Sequence, residues 1–247
     1  MNRLPGKDNI GDNAWPQAFF HVPEAAAAIA VIVFFAFWPP VHDFDLWLQP
    51  WFFNASAGHW FFPPGDRGAA YWLFYRGPKT LVAVAGGAAL LWLLGRALMR
   101  RRWRPFDTRA LLALCVVGFT PLIIGMLKRH TGVSCPAQET IFLGPYLHTT
   151  ITDRLFDLAP LNTHLRCWPA GHASAGFGLL GYRLFAPVDR RMNWRYWWPG
   201  LTAGWIMGIY QMARGQHYLS HTIVTMALAV LLTSIALAIL DHWRHGR

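Results

Sequence analysis

The feature that most restricts this chain is a succession of apolar runs, each long enough or nearly long enough to cross a bilayer as a helix. A hydrocarbon core about 30 Å thick takes roughly 20 helical residues. The runs fall at about Val22–Trp38, Lys79–Leu98, Arg109–Leu127, Gly171–Phe185, Trp197–Ala213 and His221–Leu240. With 54% hydrophobic and only 14% charged residues, the chain is too apolar for an ordinary soluble domain. The expectation is an all-α bundle of six transmembrane helices. Residues 41–78 are too mixed to span. There, Leu46-Trp47-Leu48 and Trp51-Phe52-Phe53, set among Asp43, Asp45, Gln49 and Asn54, read as an interfacial segment between spans one and two.

Charge orients the bundle. A net charge of +10 would suggest nucleic acid in a soluble chain. Here the arginines gather in short loops beside apolar runs, so membrane topology and anionic lipid account for them, and nucleic acid is not an expected partner. Arg96, Arg100, Arg101, Arg102, Arg104 and Arg109 lie between spans two and three. Arg190, Arg191 and Arg195 lie between four and five, Arg244 and Arg247 at the C-terminus, and Arg3 and Lys7 at the N-terminus. All fall on one side, which the positive-inside rule makes cytoplasmic. The expected layout is N-in and C-in. Residues 1–21 form a cytoplasmic tail without a cleavable signal, 22–240 a single integral membrane domain, and 241–247 a basic cytoplasmic tail. Loops 40–78, 128–170 and 214–220 then face outward.

A second constraint stands at the mouth of the fourth run. Arg166-Cys167-Trp168-Pro169-Ala170-Gly171-His172 ends a polar loop, and the small residues Ala173-Ser174-Ala175-Gly176 open the apolar segment. Such a turn puts an imidazole at the head of a membrane helix. Its glycine lets backbone N–H groups approach a ligand closely, and a helix N-terminus favours an anion. The stretch reads as the centre of a phosphate site. Lys128, at the outer end of span three, and His217, just before span six, fall on the same membrane face as His172. Taken singly, His172 could be a helix cap and Lys128 a snorkelling span-end residue; their convergence favours a site. Gly200, Gly204 and Gly208 repeat every four residues in span five, a spacing that lets helices pack closely.

Three segments carry the chemistry in order. They are Lys128-Arg129-His130-Thr131-Gly132-Val133-Ser134-Cys135-Pro136, then Pro169-Ala170-Gly171-His172, then Gln211-Met212-Ala213-Arg214-Gly215-Gln216-His217-Tyr218-Leu219-Ser220-His221. Together they resemble the type 2 phosphatidic acid phosphatase superfamily, whose pattern is K-x6-R-P, P-S-G-H and S-R-x5-H-x3-D. The resemblance covers residues 128–221, and the six-span layout with an outward-facing site resembles the membrane branch of that superfamily. Lys128, Pro136, Pro169, Gly171, His172 and His217 match the pattern. Cys135 stands where the family has arginine, Ala170 where it has serine, Gln211 where it has arginine, and His221 where it has aspartate.

The resemblance implies roles. His217 would attack phosphorus and form a phosphohistidine, while His172 would protonate the leaving oxygen and then activate water. An imidazole pKa of about 6.5 allows one ring to be neutral and the other protonated near neutral pH. Lys128 and backbone N–H groups around Gly171 would stabilise the phosphoryl oxygens, with no metal or cofactor required. His221, one turn on, would orient His217 in place of the aspartate, with Asp153, Asp157 and Glu139 as candidate compensating carboxylates. Arg214, Arg129 and Arg166 are candidate substitutes for the missing arginines, Arg214 first because it lies three residues from His217. Cys135 and Cys167 both fall on the outer face, where oxidation is permitted, so a disulfide could tie the first motif to the second. Cys115, within span three, reads as packing.

The expected function is a phosphatase acting on a lipid-linked phosphate at the periplasmic face of a bacterial inner membrane. Candidate substrates are phosphatidate-like lipids, polyprenyl phosphate or pyrophosphate, and lipid A. A phosphotransferase using the same phosphohistidine and a non-catalytic lipid-phosphate binder are the alternatives. His217 and His221, at i and i+4, also suit a metal pair that His172 or His130 would complete. Nothing in the pattern speaks to oligomeric state.

Overall fold

A computed structural model describes residues 21–63, 65, 67–99, 102–156, 165–187, 190–191 and 193–245. Helix α1 (His21–Phe37) meets α2 (Pro39–Leu48) at a 72° bend. The bend falls at Pro39-Pro40, which cannot donate to a preceding turn and are suited to the first positions of a new helix. A 3-10 turn, Gln49–Phe52, leads to a hairpin in which β1 (Phe53–Asn54) pairs antiparallel with β2 (His59–Trp60). Helix α3 (Ala69–Tyr71) passes through a π turn, Trp72–Arg76, into α4 (Gly77–Leu98), and α5 (Pro105–Thr131) returns. Short helix α6 (Ile151–Leu155) and α7 (Ser174–Phe177) follow, the latter continuing as a 3-10 helix, Gly178–Phe185. Helices α8 (Trp198–Met212) and α9 (Leu219–His245) complete the chain.

Among the described residues, three helices are long and apolar enough to cross a membrane, namely Ala69–Leu98, Pro105–Gln138 and Leu219–Trp243, and the bent α1–α2 pair makes a fourth if counted as one span. The protein is an all-helical, multi-pass membrane protein. The expected spans four and five take a different form. In place of a continuous α-helix over Gly171–Phe185 there is one α turn and eight residues of 3-10 helix, and α8 has 15 residues. At 1.5 Å per residue α8 is roughly 22 Å long, short of the hydrocarbon thickness.

Glycines explain why that region is so compact. A Cβ on Gly204 would lie 2.1 Å from the Phe177 ring, and one on Gly200 2.5 Å from the Leu180 nitrogen. A Cβ on Gly208 would meet Thr222 at 2.5 Å, so all three glycines of the repeat are contact points. Gly176 answers from the other side, where a Cβ would sit 2.5 Å from the Gly204 nitrogen. The 174–185 segment therefore runs through the bundle interior against α5, α8 and α9, with Phe177, Leu180 and Leu184 buried. Two buried ion pairs hold this packing. Arg183 makes a two-pronged contact with Glu24 of α1 (2.7 and 3.0 Å) and lies over the Trp197 ring at 3.7 Å. Arg191 bonds both oxygens of Asp241 (2.5 and 2.8 Å). Asp241 is a buried part of α9, which continues through His245.

Residues 39–62 are amphipathic in an instructive way. Phe44, Trp47 and Trp51 are exposed on one side, while Asp45 and Gln49, one turn apart, are buried on the other. The polar side holds the ends of two helices. Asp45 accepts from the backbone N–H of Ser220 at 3.1 Å and from its hydroxyl, capping α9 from outside its own helix. Gln49 donates to the Met212 carbonyl at the end of α8 (2.9 Å).

Candidate active site

Backbone geometry brings the three motif segments together. Helix α5 ends at Gly132, whose left-handed φ of 62° suits a glycine C-cap. Just before it, the Thr131 hydroxyl donates to the Trp168 carbonyl (2.8 Å); just after it, Val133 accepts from the Cys167 N–H (3.0 Å). A Cys135–Cys167 disulfide, with Cα atoms 5.1 Å apart, closes the same junction. The Ala170 N–H donates to the His221 carbonyl (3.2 Å), and the Thr225 hydroxyl donates to the Ala170 carbonyl (3.1 Å). The turn carrying His172 is thus fixed between the end of α5 and the start of α9. The segment carrying His217 is fixed by Gly215, where φ is +67° and a Cβ would penetrate the Trp60 ring at 2.3 Å. Only glycine suits both demands.

At the junction His172 Nδ1 lies 2.9 Å from His217 Nε2. Lys128 lies over Gly171, so closely that a Cβ there would come within 3.2 Å of its Nζ. On its far side, His217 Nδ1 is 3.4 Å from the Cys167 sulfur, and the ring N–H also donates to the Cys167 backbone carbonyl. That arrangement suits a proton on Nδ1 and a lone pair on Nε2. Tyr218 adjoins His217 and donates its hydroxyl to Glu139 (2.5 Å). Glu139, fully buried, also accepts from the Ser134 hydroxyl (2.7 Å) and faces His148 Nδ1 (2.9 Å).

The site is cationic. Burial pushes the His172 pKa down to about 3, helped by the positive charges of Lys128, Lys79 and Arg214. Burial also holds His217 well below the ordinary imidazole value, with His172 and Lys128 adding to the effect. Gln211, at a position where the family motif has arginine, is fully buried, and neither side-chain amide atom has a hydrogen-bond partner. An apolar groove of about 340 Å³ opens between α4 and α5, running from Lys79 past Ala83, Gly86 and Leu90 opposite Leu114 and Pro121. Lys79 is the one charged residue among those lining it, and Ala175, three residues from His172, is at its edge.

The other expected residues have varied placements. His221 is buried, its ring centre is 6.1 Å from that of His217, and its Nδ1 is unpartnered. Arg214 is buried with its guanidinium over the Tyr71 and Tyr210 rings (5.4 and 5.5 Å), whereas Arg129 and Arg166 are exposed. Among the candidate carboxylates, Glu139 supports Tyr218, and Asp153 caps α6 through Thr150. Asp157 lies outside the described residues. Atoms of Cys167, His217 and His221 lie within 4.8 Å of one another, as a metal site would need. The Cys167 sulfur is committed to the disulfide and offers no thiolate, and His130 is exposed at the end of α5, so the donor set does not suit a metal.

Two residues escape the sequence reading. Asp45 lies in a segment read only for its aromatics. Lys79 opens the second apolar run, at the outward end by the same charge argument that selects Lys128. That shared placement was the available signal.

A helical membrane protein with a buried and a half-buried histidine in contact, beside a lysine and a close-packed glycine, has the parts of a phosphoryl-transfer site. The chain belongs to the PAP2 superfamily, whose family model matches residues 108–244, from α5 to α9. Membership implies phosphatase or phosphotransferase activity on phosphate esters. No curated protein and no solved structure matches the chain.

Proposed function

We propose that the protein is a lipid phosphatase that works through a phosphohistidine on His217. The carrying observation is the direct contact between His172 Nδ1 and His217 Nε2 beside Lys128, with the apolar groove leading away. The lipid tail lies in the groove and the phosphate at its head. His217 Nε2 attacks phosphorus as the bond to the leaving oxygen breaks, and protonated His172 gives that oxygen its proton. Water then donates a proton to His172 and attacks phosphorus, breaking the P–N bond and releasing inorganic phosphate. Lys128 and Arg214 offset charge on the phosphoryl oxygens. Nε2 must lie roughly 3–3.5 Å from phosphorus before attack, so the His172 ring turns away from His217 when substrate enters. A bound phosphate dianion also raises both imidazole pKa values, which supplies the protonated form of His172.

The same reading gives the membrane arrangement. The 174–185 and 198–212 segments cross the bilayer as part of the packed bundle, which restores six crossings with both termini cytoplasmic. The arginines of 96–109 and 190–195 then face the cytoplasm, and the histidine pair faces the periplasm of a bacterial inner membrane.

The test is phosphate release by detergent-purified protein from a panel of single-chain and two-chain lipid phosphates and a polyprenyl pyrophosphate, with and without chelator. Chelator-insensitive release that disappears in His217→Ala supports the proposal. Turnover only when an acceptor lipid is added identifies a phosphotransferase, and anion binding without turnover identifies a binder.

A further inference from the structure

The superfamily match begins at residue 108, yet part of the wall beside His172 comes from before it. The Tyr75 ring meets the His172 ring edge-on at 4.9 Å, and Lys79 Nζ stands 5.6 Å from the centre of the same Tyr75 ring. Lys79 is exposed at the mouth of the α4–α5 groove, whose remaining lining is apolar. Its charge reaches both His172 and Lys128. Among the described residues neither lysine is in an ion pair with a carboxylate. Two like charges that converge on neutral imidazoles without a carboxylate partner repel each other, and an anion between them removes that repulsion.

We propose that Lys79 is a phosphate-binding residue of this site, steadied by Tyr75, and that it takes over the work of the motif arginine replaced by Cys135. The substrate phosphoryl group is then held between a lysine of α4 and a lysine of α5, at the point where an apolar chain leaves into the groove between those helices. Two consequences follow for recognition. The anionic head and the chain are read by the same helix pair, so a phosphate on an apolar chain is preferred over a small soluble phosphate ester. The substitution also explains how the chain can lack a guanidinium at position 135: a cation from outside the matched region stands on the other side of the phosphate.

The proposal rests on the phosphatase reading for its substrate, but not for its anion. Inorganic phosphate therefore serves as the probe. With wild-type protein in detergent, Lys79 is acetylated by an amine-reactive reagent and the extent is read by peptide mass spectrometry. Phosphate is expected to protect Lys79, and unchanged modification at saturating phosphate overturns the proposal. In parallel, Lys79→Gln is expected to raise KM and the inhibition constant for phosphate by about 10-fold or more, the scale of one lost charge-assisted hydrogen bond, with Lys79→Arg restoring most of it. An inhibition constant within about twofold of wild type in a folded Lys79→Gln protein overturns the proposal. If the variants do not fold, the protection result alone decides. Failure of the phosphatase reading looks different: no turnover in wild type, or turnover that survives His217→Ala, with Lys79 protection intact.

Discussion

His172 Nδ1 and His217 Nε2 share a hydrogen bond of 2.9 Å across 45 residues of sequence. In the proposed mechanism the resting site holds its nucleophile and its acid against each other, in surroundings that favour the neutral form of both. Substrate must separate them and supply the negative charge that lets one become protonated.

The first prediction concerns protons. Because an anion raises the depressed His172 and His217 pKa values, the complex binds more protons than the free protein, so affinity rises as pH falls. Sulfate is a suitable probe, being a dianion throughout this range. Its affinity should increase by up to about tenfold per pH unit between about pH 8 and 6, with proton uptake seen as buffer-dependent heats in calorimetry. Proton release, or pH-independent affinity, contradicts the account. The same shifts bear on folding. The contribution of neutral His172 is fully present above the unfolded pKa of about 6.5 and is lost as pH falls toward about 3, so the protein should weaken in acid.

A second prediction concerns the Cys135–Cys167 bridge, which closes a loop of sequence separation 32. In the chain-entropy model such a link contributes roughly 3–4 kcal/mol. Denatured, unreduced protein should show one reactive thiol, Cys115, and three after reduction. Reduction should also lower turnover, since the Cys167 sulfur and backbone flank the His217 ring. Equal thiol counts with and without reductant would remove the bridge from the account.

The third prediction uses glycine contacts. Gly204→Ala forces a methyl group into the Phe177 ring, whereas a Cβ on Gly95 meets nothing within 4 Å. Gly204→Ala should cost about 1–3 kcal/mol and loosen the segment that follows His172. Gly95→Ala should be neutral or stabilise by up to about 1 kcal/mol, as expected for a helix position with open space beside it. Unfolding in mixed detergent compares the two, and equal stability would mean that α7 and α8 do not pack as described.

How much of this was legible in sequence depended on the kind of contact. Lys128, His172 and His217 could be brought to one face because they stand at span ends, where hydropathy and loop arginines fix position. The Gly200–Gly204–Gly208 repeat was legible because its spacing is local. The helical form of 171–185 was not, because its glycines admit α5 and α8 at distances that no hydropathy pattern encodes. The approach of the Cys167 sulfur to His217 Nδ1 was not legible either, because it joins residues 50 apart in sequence. The cap that Asp45 places on Ser220 at the start of α9 spans 175 residues of sequence, a contact that no local pattern announces.

The most direct measurement is to look for the covalent intermediate itself. Wild-type protein mixed briefly with a turned-over lipid phosphate, quenched in base and digested, should yield a phosphorylated peptide containing His217, base-stable and lost in acid. His217→Asn should yield none, and His172→Gln should accumulate less of it unless the leaving group departs without needing a proton. Multiple turnover with no such peptide, or the same label persisting in His217→Asn, would contradict the central claim.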